Sequence, residues 1–140
     1  MKNLYLQLKN KQQEEVNNFP MMFAFSQKQF EDGMIKLGLN PDDTDKIYSI
    51  GAGGYIRKTD SKAFSELFKR HTKEREEQMT NADYVYQMFK YELNNHEYCY
   101  TYDLDEILVA CDVTREMLTE NQMLSDMLEK AKHDYLESAF

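Results

Sequence analysis

Nothing in this chain approaches the ~20 consecutive apolar residues that a bilayer-spanning helix requires. Its apolar runs are short, as in MMFAF at 21–25. The start, MKNLYLQLKNKQQEEVNN, has no continuous apolar stretch of the signal-peptide kind and soon turns polar. These two absences lead to the expectation of a cytoplasmic protein. Cysteine is scarce: only Cys99 and Cys111 occur, and without an export signal both are expected as reduced thiols. There are no repeats, no low-complexity tract and no linker long enough to divide the chain. At 140 residues, residues 1–140 are expected to form one globular domain.

Positive charge is also in deficit. The formal net charge is −8, which disfavours generic duplex DNA and anionic membranes by long-range repulsion. The charge is uneven, however. Between Arg57 and Arg75 seven basic residues face three acidic ones, a local net of +4, so the remainder carries −12. Such a dipolar chain suits a charged macromolecule better than a small neutral metabolite.

What is present reads as α+β, with five or six helices packed on a small antiparallel sheet that contains a glycine-turn β-hairpin. Residues 2–18 read as a helix with a sparse apolar stripe of Leu4, Leu8 and Val16, ending before Phe19-Pro20. Met21–Phe25 reads as a short buried strand. Ser26 is the expected N-cap of a helix running to Leu37, closed by Gly38. Lys46–Ile50 and Tyr55–Lys58, joined through GAGG, read as a hairpin. Ser61 or Asp60 is expected to cap a long helix whose inner face carries Phe64, Leu67, Phe68 and His71. Further helices start near Asn81, at Asp103 and at about Thr119, with apolar residues at helical spacing.

The glycine cluster is the first candidate site. A phosphate-cradling loop needs glycines leading directly into a helix, with Lys and Ser/Thr placed on the phosphates. Here GAGG leads into four residues of apparent strand, and no GK[ST] follows, so a turn needing positive φ accounts for it. The hairpin is expected to deliver Tyr55, Arg57 and Lys58 to an exposed edge beside the basic helix. Together with Lys62, Lys69 and Arg70 they form a basic strip. Such charges are commonly just the solvated face of an amphipathic helix; the functional alternative is contact with phosphates or an acidic surface. With Phe64 and Phe68 on the core stripe, Tyr55 is the one aromatic expected to be free for stacking.

His96 and Cys99 form an H-x2-C pair to which His71 and Cys111 could be added as zinc ligands. A structural zinc site normally shows two tight pairs, and His71 and Cys111 sit at core spacings, so no metal or other cofactor is expected. Cys99 with His96 as nucleophile and base lacks a recognisable oxyanion loop or orienting acid, and no enzymatic activity is expected. The stretch YTYDLDEILVACDVTREML has the rhythm of two helices around a CDVT turn with Thr114 as a cap. Its acids Asp103, Asp105, Glu106 and Asp112 are wrong for a DNA-reading helix. They read as the acidic outer surface of an αα-hairpin.

The stretches NFPMMFAFSQKQFEDGMIKLGL, DTDKIYSIGAGGYIRKTDS and YELNNHEYCYTYDLDEIL resemble a family of small uncharacterised proteins encoded by phages and mobile elements of Firmicutes and gut bacteria. The resemblance covers most of the chain, and GAGGYIRKTD is its most specific part. It implies a context rather than an activity: short acidic phage proteins often bind and disable a host protein, as anti-CRISPR and other anti-defence proteins do. The expectation is therefore a non-enzymatic inhibitor or modulator of a host nucleic-acid-handling protein, such as a nuclease. Asp103, Asp105, Glu106 and Asp112 would form its partner-binding surface. The alternative is a nucleic-acid-binding accessory protein that uses the basic hairpin and helix at 55–75.

Overall fold

The GAGG segment is a two-residue hairpin turn. In a computed structural model of the protein, which describes residues 2–140, strands β2 (Ile47–Gly51) and β3 (Gly54–Arg57) pair antiparallel on either side of it. Ala52 and Gly53 both have positive φ, 51° and 78°, as a type I′ hairpin turn demands. Gly51 is also positive, and the register shifts between Ser49 and Gly51. Gly54 is a glycine for a different reason. Its φ is not in the left-handed region, but a Cβ there would lie 2.8 Å from both Ile50 and Phe23.

A third strand, β1 (Met22–Phe23), pairs antiparallel with β3, giving the order β1-β3-β2. The expected strand at 21–25 is thus reduced to two residues. Only Met22 is buried, while Phe23 and Phe25 are exposed. Strand β3 is also the centre of the sheet, not an exposed edge: Tyr55 pairs with Met22 on one side and Ser49 on the other, whereas Arg57 pairs with Ile47 alone. Helix α2 (Gln27–Lys36) covers the sheet, and Met34 and Leu37 join Met22 in a small core with Phe30, Leu39, Ile47 and Tyr55 against it. Ser26 caps α2 by accepting from the Gln29 amide at 3.2 Å. Gly38, at φ 78°, ends it, with the Leu39 amide donating back to the Met34 carbonyl at 2.9 Å.

The remaining elements are α1 (Leu4–Asn17), α3 (Ser61–Gln78), α4 (Ala82–Asn95), α5 (Tyr98–Thr101), α6 (Leu104–Cys111), α7 (Arg115–Glu120) and α8 (Gln122–Ala139). The class is α+β, but the described residues form eight helices where five or six are expected. The extra ones are short and arise from local breaks. Glu97 and Tyr102, both left-handed, bound the single turn of α5. Asn121 leaves the helical path and caps α8 by accepting from the Met123 and Leu124 amides, which separates α7 from a helix expected to begin near Thr119.

By its internal contacts the chain divides into two compact units, Gln12–Thr72 and Met1–Lys11 with Lys73–Phe140. The first contains the sheet and α2. Within it His71 of α3 is buried, as its spacing implies, and the Gln12 side chain donates to the His71 carbonyl at 3.0 Å. The rest of the inner stripe expected on α3 is only partly so: Phe64 is half-buried, and Phe68 is 41% exposed. Asp60 does not cap this helix. A 3-10 turn at Lys58–Asp60 leads into it, and the Asp60 carboxylate binds Arg57 instead.

The second unit has the larger core. Helix α4 lies along α8, and Val85, Met88, Phe89 and Leu93 meet Leu124, Leu128, Ala131 and Tyr135, with Ile107 and Leu108 of α6 closing the cluster. Each fully buried Val, Leu, Ile, Phe or Met among them contributes ~1.5–3 kcal/mol. From α1 the buried residue is Tyr5, packed edge-on against Tyr84 at 5.7 Å, with Leu4 and Leu8 only partly covered. No helix among the described residues is long and apolar enough to cross a membrane.

Candidate functional site

The α5–α6 segment carries the expected acidic surface. Asp103 is the N-cap of α6, accepting from the Asp105 amide at 3.1 Å. Asp112 ends the same helix in the left-handed region, and Thr114 caps α7 by accepting from the Met117 amide at 3.1 Å. Asp105, Val109 and Asp112 recur at i, i+4 and i+7 and so share one helical face. Asp105 makes an exposed ion pair with Arg115 at 2.7 Å. Glu106 lies 4.0 Å from His96 Nδ1.

Charge periodicity alone misses what stands among these acids. Tyr100, Tyr102 and Val109 are 80%, 61% and 79% exposed. Among the described residues, three of the four non-glycine positions with positive φ are Glu97, Tyr102 and Asp112, which bracket α5 and α6. Such conformations cost energy, so they persist only where surrounding structure imposes them. Tyr102 is fixed partly by its ring, which meets Tyr98 edge-on at 5.5 Å. Exposed tyrosines are enriched at protein-recognition surfaces, and surrounding carboxylates would select a cationic partner.

The basic strip is largely engaged within its own unit. Arg57 Nε donates to Asp60 Oδ2 at 2.7 Å, and Nη1 donates to the Leu37 carbonyl at 3.1 Å. Arg70 is bonded to Glu15. The Lys58 ammonium stands over the Tyr48 ring at 5.1 Å, and Lys62 faces Glu66 at 3.9 Å. Tyr55 is not free: its ring packs edge-on against Phe30 at 5.5 Å. Exposed aromatics beside the strip are Tyr48, under Lys58, and Phe68, next to Lys69 and packed edge-on against Phe64 at 4.8 Å.

The four-ligand zinc set does not assemble. Among the described residues, neither His96, Cys99 nor Cys111 belongs to any group of three ligand-capable side chains whose donor atoms lie within 4.8 Å of one another. Burial pushes the Cys111 thiol up to about 12, the nearby Glu92 carboxylate pushing in the same direction. Cys99 is half-buried, and its amide donates to the Tyr135 hydroxyl at 3.2 Å. His96 faces carboxylates: Nε2 lies 3.6 Å from Glu92 Oε2.

Glu92 is the polar residue that sequence reading passes over. It is 2% exposed in the last turn of α4, at the helical position that follows Met88 and Phe89 inward. Its Oε1 accepts no hydrogen bond from the described residues, and the Lys9 ammonium stands 3.7 Å from it. The same ammonium lies over the rings of Tyr5 and Tyr91, at 5.6 and 5.3 Å from their centroids. Tyr5 responds to this setting. Burial raises its phenol well above the usual range, and the charge of Glu92 raises it further.

Residues 4–134 match a family of unknown function, DUF7659, and the chain belongs to that family. No curated protein and no solved structure matches it.

Proposed function

We propose that this family member is a non-enzymatic binding protein that inhibits or modulates a nucleic-acid-handling protein by meeting a basic surface on it. On this reading it is an anti-defence factor of the kind that phages and mobile elements carry. The observation that supports it is the surface at 97–112, where exposed Tyr100, Tyr102 and Val109 stand among Glu97, Asp103, Asp105, Glu106 and Asp112. The carboxylates would steer encounter with a cationic partner, and the tyrosines would supply the anchoring contacts. The remainder of the chain outside 57–75 carries −12, which extends the same attraction over a longer range.

A second reading, a nucleic-acid-binding accessory protein, draws support from Phe68. This ring is 41% exposed beside Lys69, in a shallow hollow with Phe64, Ser65 and Thr72, where a base could stack next to a phosphate contact. Two charge reversals decide between the readings. Wild type, Asp105→Lys/Glu106→Lys and Lys62→Glu/Lys69→Glu are used to capture partners from a bacterial lysate, with and without nuclease. The first reading expects a protein partner that survives nuclease, is lost by the acidic-face variant and is kept by the basic-strip variant. The opposite pattern, with capture abolished by nuclease, replaces the first reading with the second.

A further inference from the structure

Glu92 is buried, with Oε1 facing the Lys9 ammonium at 3.7 Å and Oε2 facing His96 at 3.6 Å, and a carboxylate so enclosed favours a cation beside it. Tyr5 and Tyr91 lie 5.7 Å apart with their planes inclined by 51°, so their faces form two walls. Glu92 closes the inner end. A cation within ~6 Å of an aromatic centroid is attracted by the negative face of the ring, more strongly where water is thinned. The Lys9 ammonium lies at the mouth of this cleft, within reach of all three partners, at 5.6 Å and 5.3 Å from the two centroids and 3.7 Å from Glu92 Oε1.

We propose that Tyr5, Tyr91 and Glu92 form a binding site for a primary alkylammonium, and that Lys9 is its built-in occupant. Lys9 is a removable plug rather than part of the frame. Its side chain is 50% exposed, whereas the Glu92 side chain is 3% exposed, so the stem reaches in from solvent and the acceptor stays inside. The contact is an ion pair rather than a hydrogen bond, which leaves Oε1 able to take a closer donor. His96 does not compete for this oxygen, because it faces Oε2 on the other side of the carboxylate. A lysine side chain is the form in which a protein partner carries such a ligand. The site stands on this geometry alone and does not depend on the docking surface at 97–112.

Chemical rescue tests it, with n-butylammonium as the probe. Lys9→Ala should melt lower than wild type. n-Butylammonium should raise its melting temperature saturably, and by clearly more than equimolar n-butanol, which has the same stem and no charge. Neither wild type, where the site is filled, nor Lys9→Ala/Glu92→Gln, where the acceptor is neutral, should show the saturable rise. Failure of rescue, an equal effect of n-butanol, or rescue that persists in the double variant would each overturn the proposal. Should Lys9→Ala be unfolded alone, recovery of helical circular dichroism with n-butylammonium becomes the readout and is judged in the same way. A second measurement uses the folded wild type, its lysines reductively methylated with 13C-formaldehyde. One dimethyl-lysine resonance should be shifted upfield by the two rings, should vanish in Lys9→Arg and should move toward the others in Glu92→Gln. If no resonance stands apart, Lys9 does not occupy the site and the proposal fails.

Discussion

Arg57 of β3 donates to the main-chain carbonyl of Leu37, joining the central strand of the sheet to the C-cap of α2 at 3.1 Å. The same guanidinium grips Asp60, which opens the way into α3. Arg57 therefore acts as a three-way tie within its unit, although in sequence it looks like a surface charge. Arg57→Ala should cost ~1–3 kcal/mol by leaving a half-buried carboxylate and a carbonyl without their donor. Arg57→Lys should restore little, because a single ammonium does not reproduce the forked geometry. Urea denaturation checks both. An unchanged midpoint in Arg57→Ala would return this residue to the surface strip. The tie is also why Lys62 and Lys69, rather than Arg57, are the informative sites for charge reversal.

The hairpin turn makes opposite predictions at adjacent positions. Ala52 occupies the left-handed region with a Cβ, so Ala52→Gly should be neutral or stabilising by up to ~1 kcal/mol. Gly53→Val should destabilise by at least ~1–2 kcal/mol, since its φ is 78° and a Cβ would come within 2.5 Å of the Phe25 ring. Gly54→Ala should also destabilise, but from crowding, so shortening Ile50 to Ala should recover part of the loss. Equal melting temperatures for wild type and Gly53→Val would show that the turn does not need its glycine.

Stability at alkaline pH should report on Cys111. Its thiol rises from an ordinary 9.0 to about 12 in the folded chain because burial opposes the thiolate. The unfolded chain then releases this proton first, so the contribution is complete below pH ~9 and is lost as pH climbs toward 12. Tyr86 adds to the decline only above its ordinary value of 10.0, burial and its hydrogen bond to Asp134 raising it to about 12. Cys111→Ala should therefore flatten the pH dependence from about 9 toward 12, most cleanly between 9 and 10, where Tyr86 does not yet contribute. Iodoacetamide should modify Cys99 before Cys111, read by mass spectrometry of peptides. Early labelling of Cys111 in folded protein would contradict its burial.

The four acids of α6 should separate into structural and surface roles. Asp103→Ala should cost ~1 kcal/mol by removing the N-cap. Asp105→Lys and Glu106→Lys should leave the urea midpoint within ~0.5 kcal/mol of wild type, because exposed ion pairs contribute little. A large loss of stability in either surface variant would disqualify it as a probe of binding.

Three caps were legible because each depends on one side chain and its immediate neighbours: Ser26, Asp103 and Thr114 do what their residue types suggest, whereas Asp60, expected as a possible cap of α3, binds Arg57. The turn was legible for the same reason. The position of β3 was not, because a strand of two residues, Met22–Phe23, carries almost no period-2 signal and its pairing turns an apparent edge into the centre. Tyr55 changed role for that reason, and Arg57 because it bonds Asp60 and the Leu37 carbonyl. Glu92 shows the opposite failure. Its spacing from Val85, Met88 and Phe89 places it inward, but a glutamate is ordinarily solvent-facing, and Tyr5 and Lys9 from a helix distant in sequence, with His96 on the other oxygen, surround it.

The sheet order also fixes a sequence of events in time. Strands β2 and β3 are neighbours along the chain, separated by a two-residue turn, whereas β1 reaches β3 across the whole of α2. Closing the short loop costs little entropy and the long one more, so the hairpin should form first and β1 should seal onto it afterwards. Gly53→Val should then slow refolding. A truncation such as Met22→Ala should act mainly by accelerating unfolding, with the two limbs of a chevron plot separating the cases. With β1 detached, the strand that looks like an edge in the sequence becomes one in the molecule: Gly54 and Tyr55 would lie open to another chain, and the open hairpin, rather than the disordered chain, would be the species most prone to aggregate.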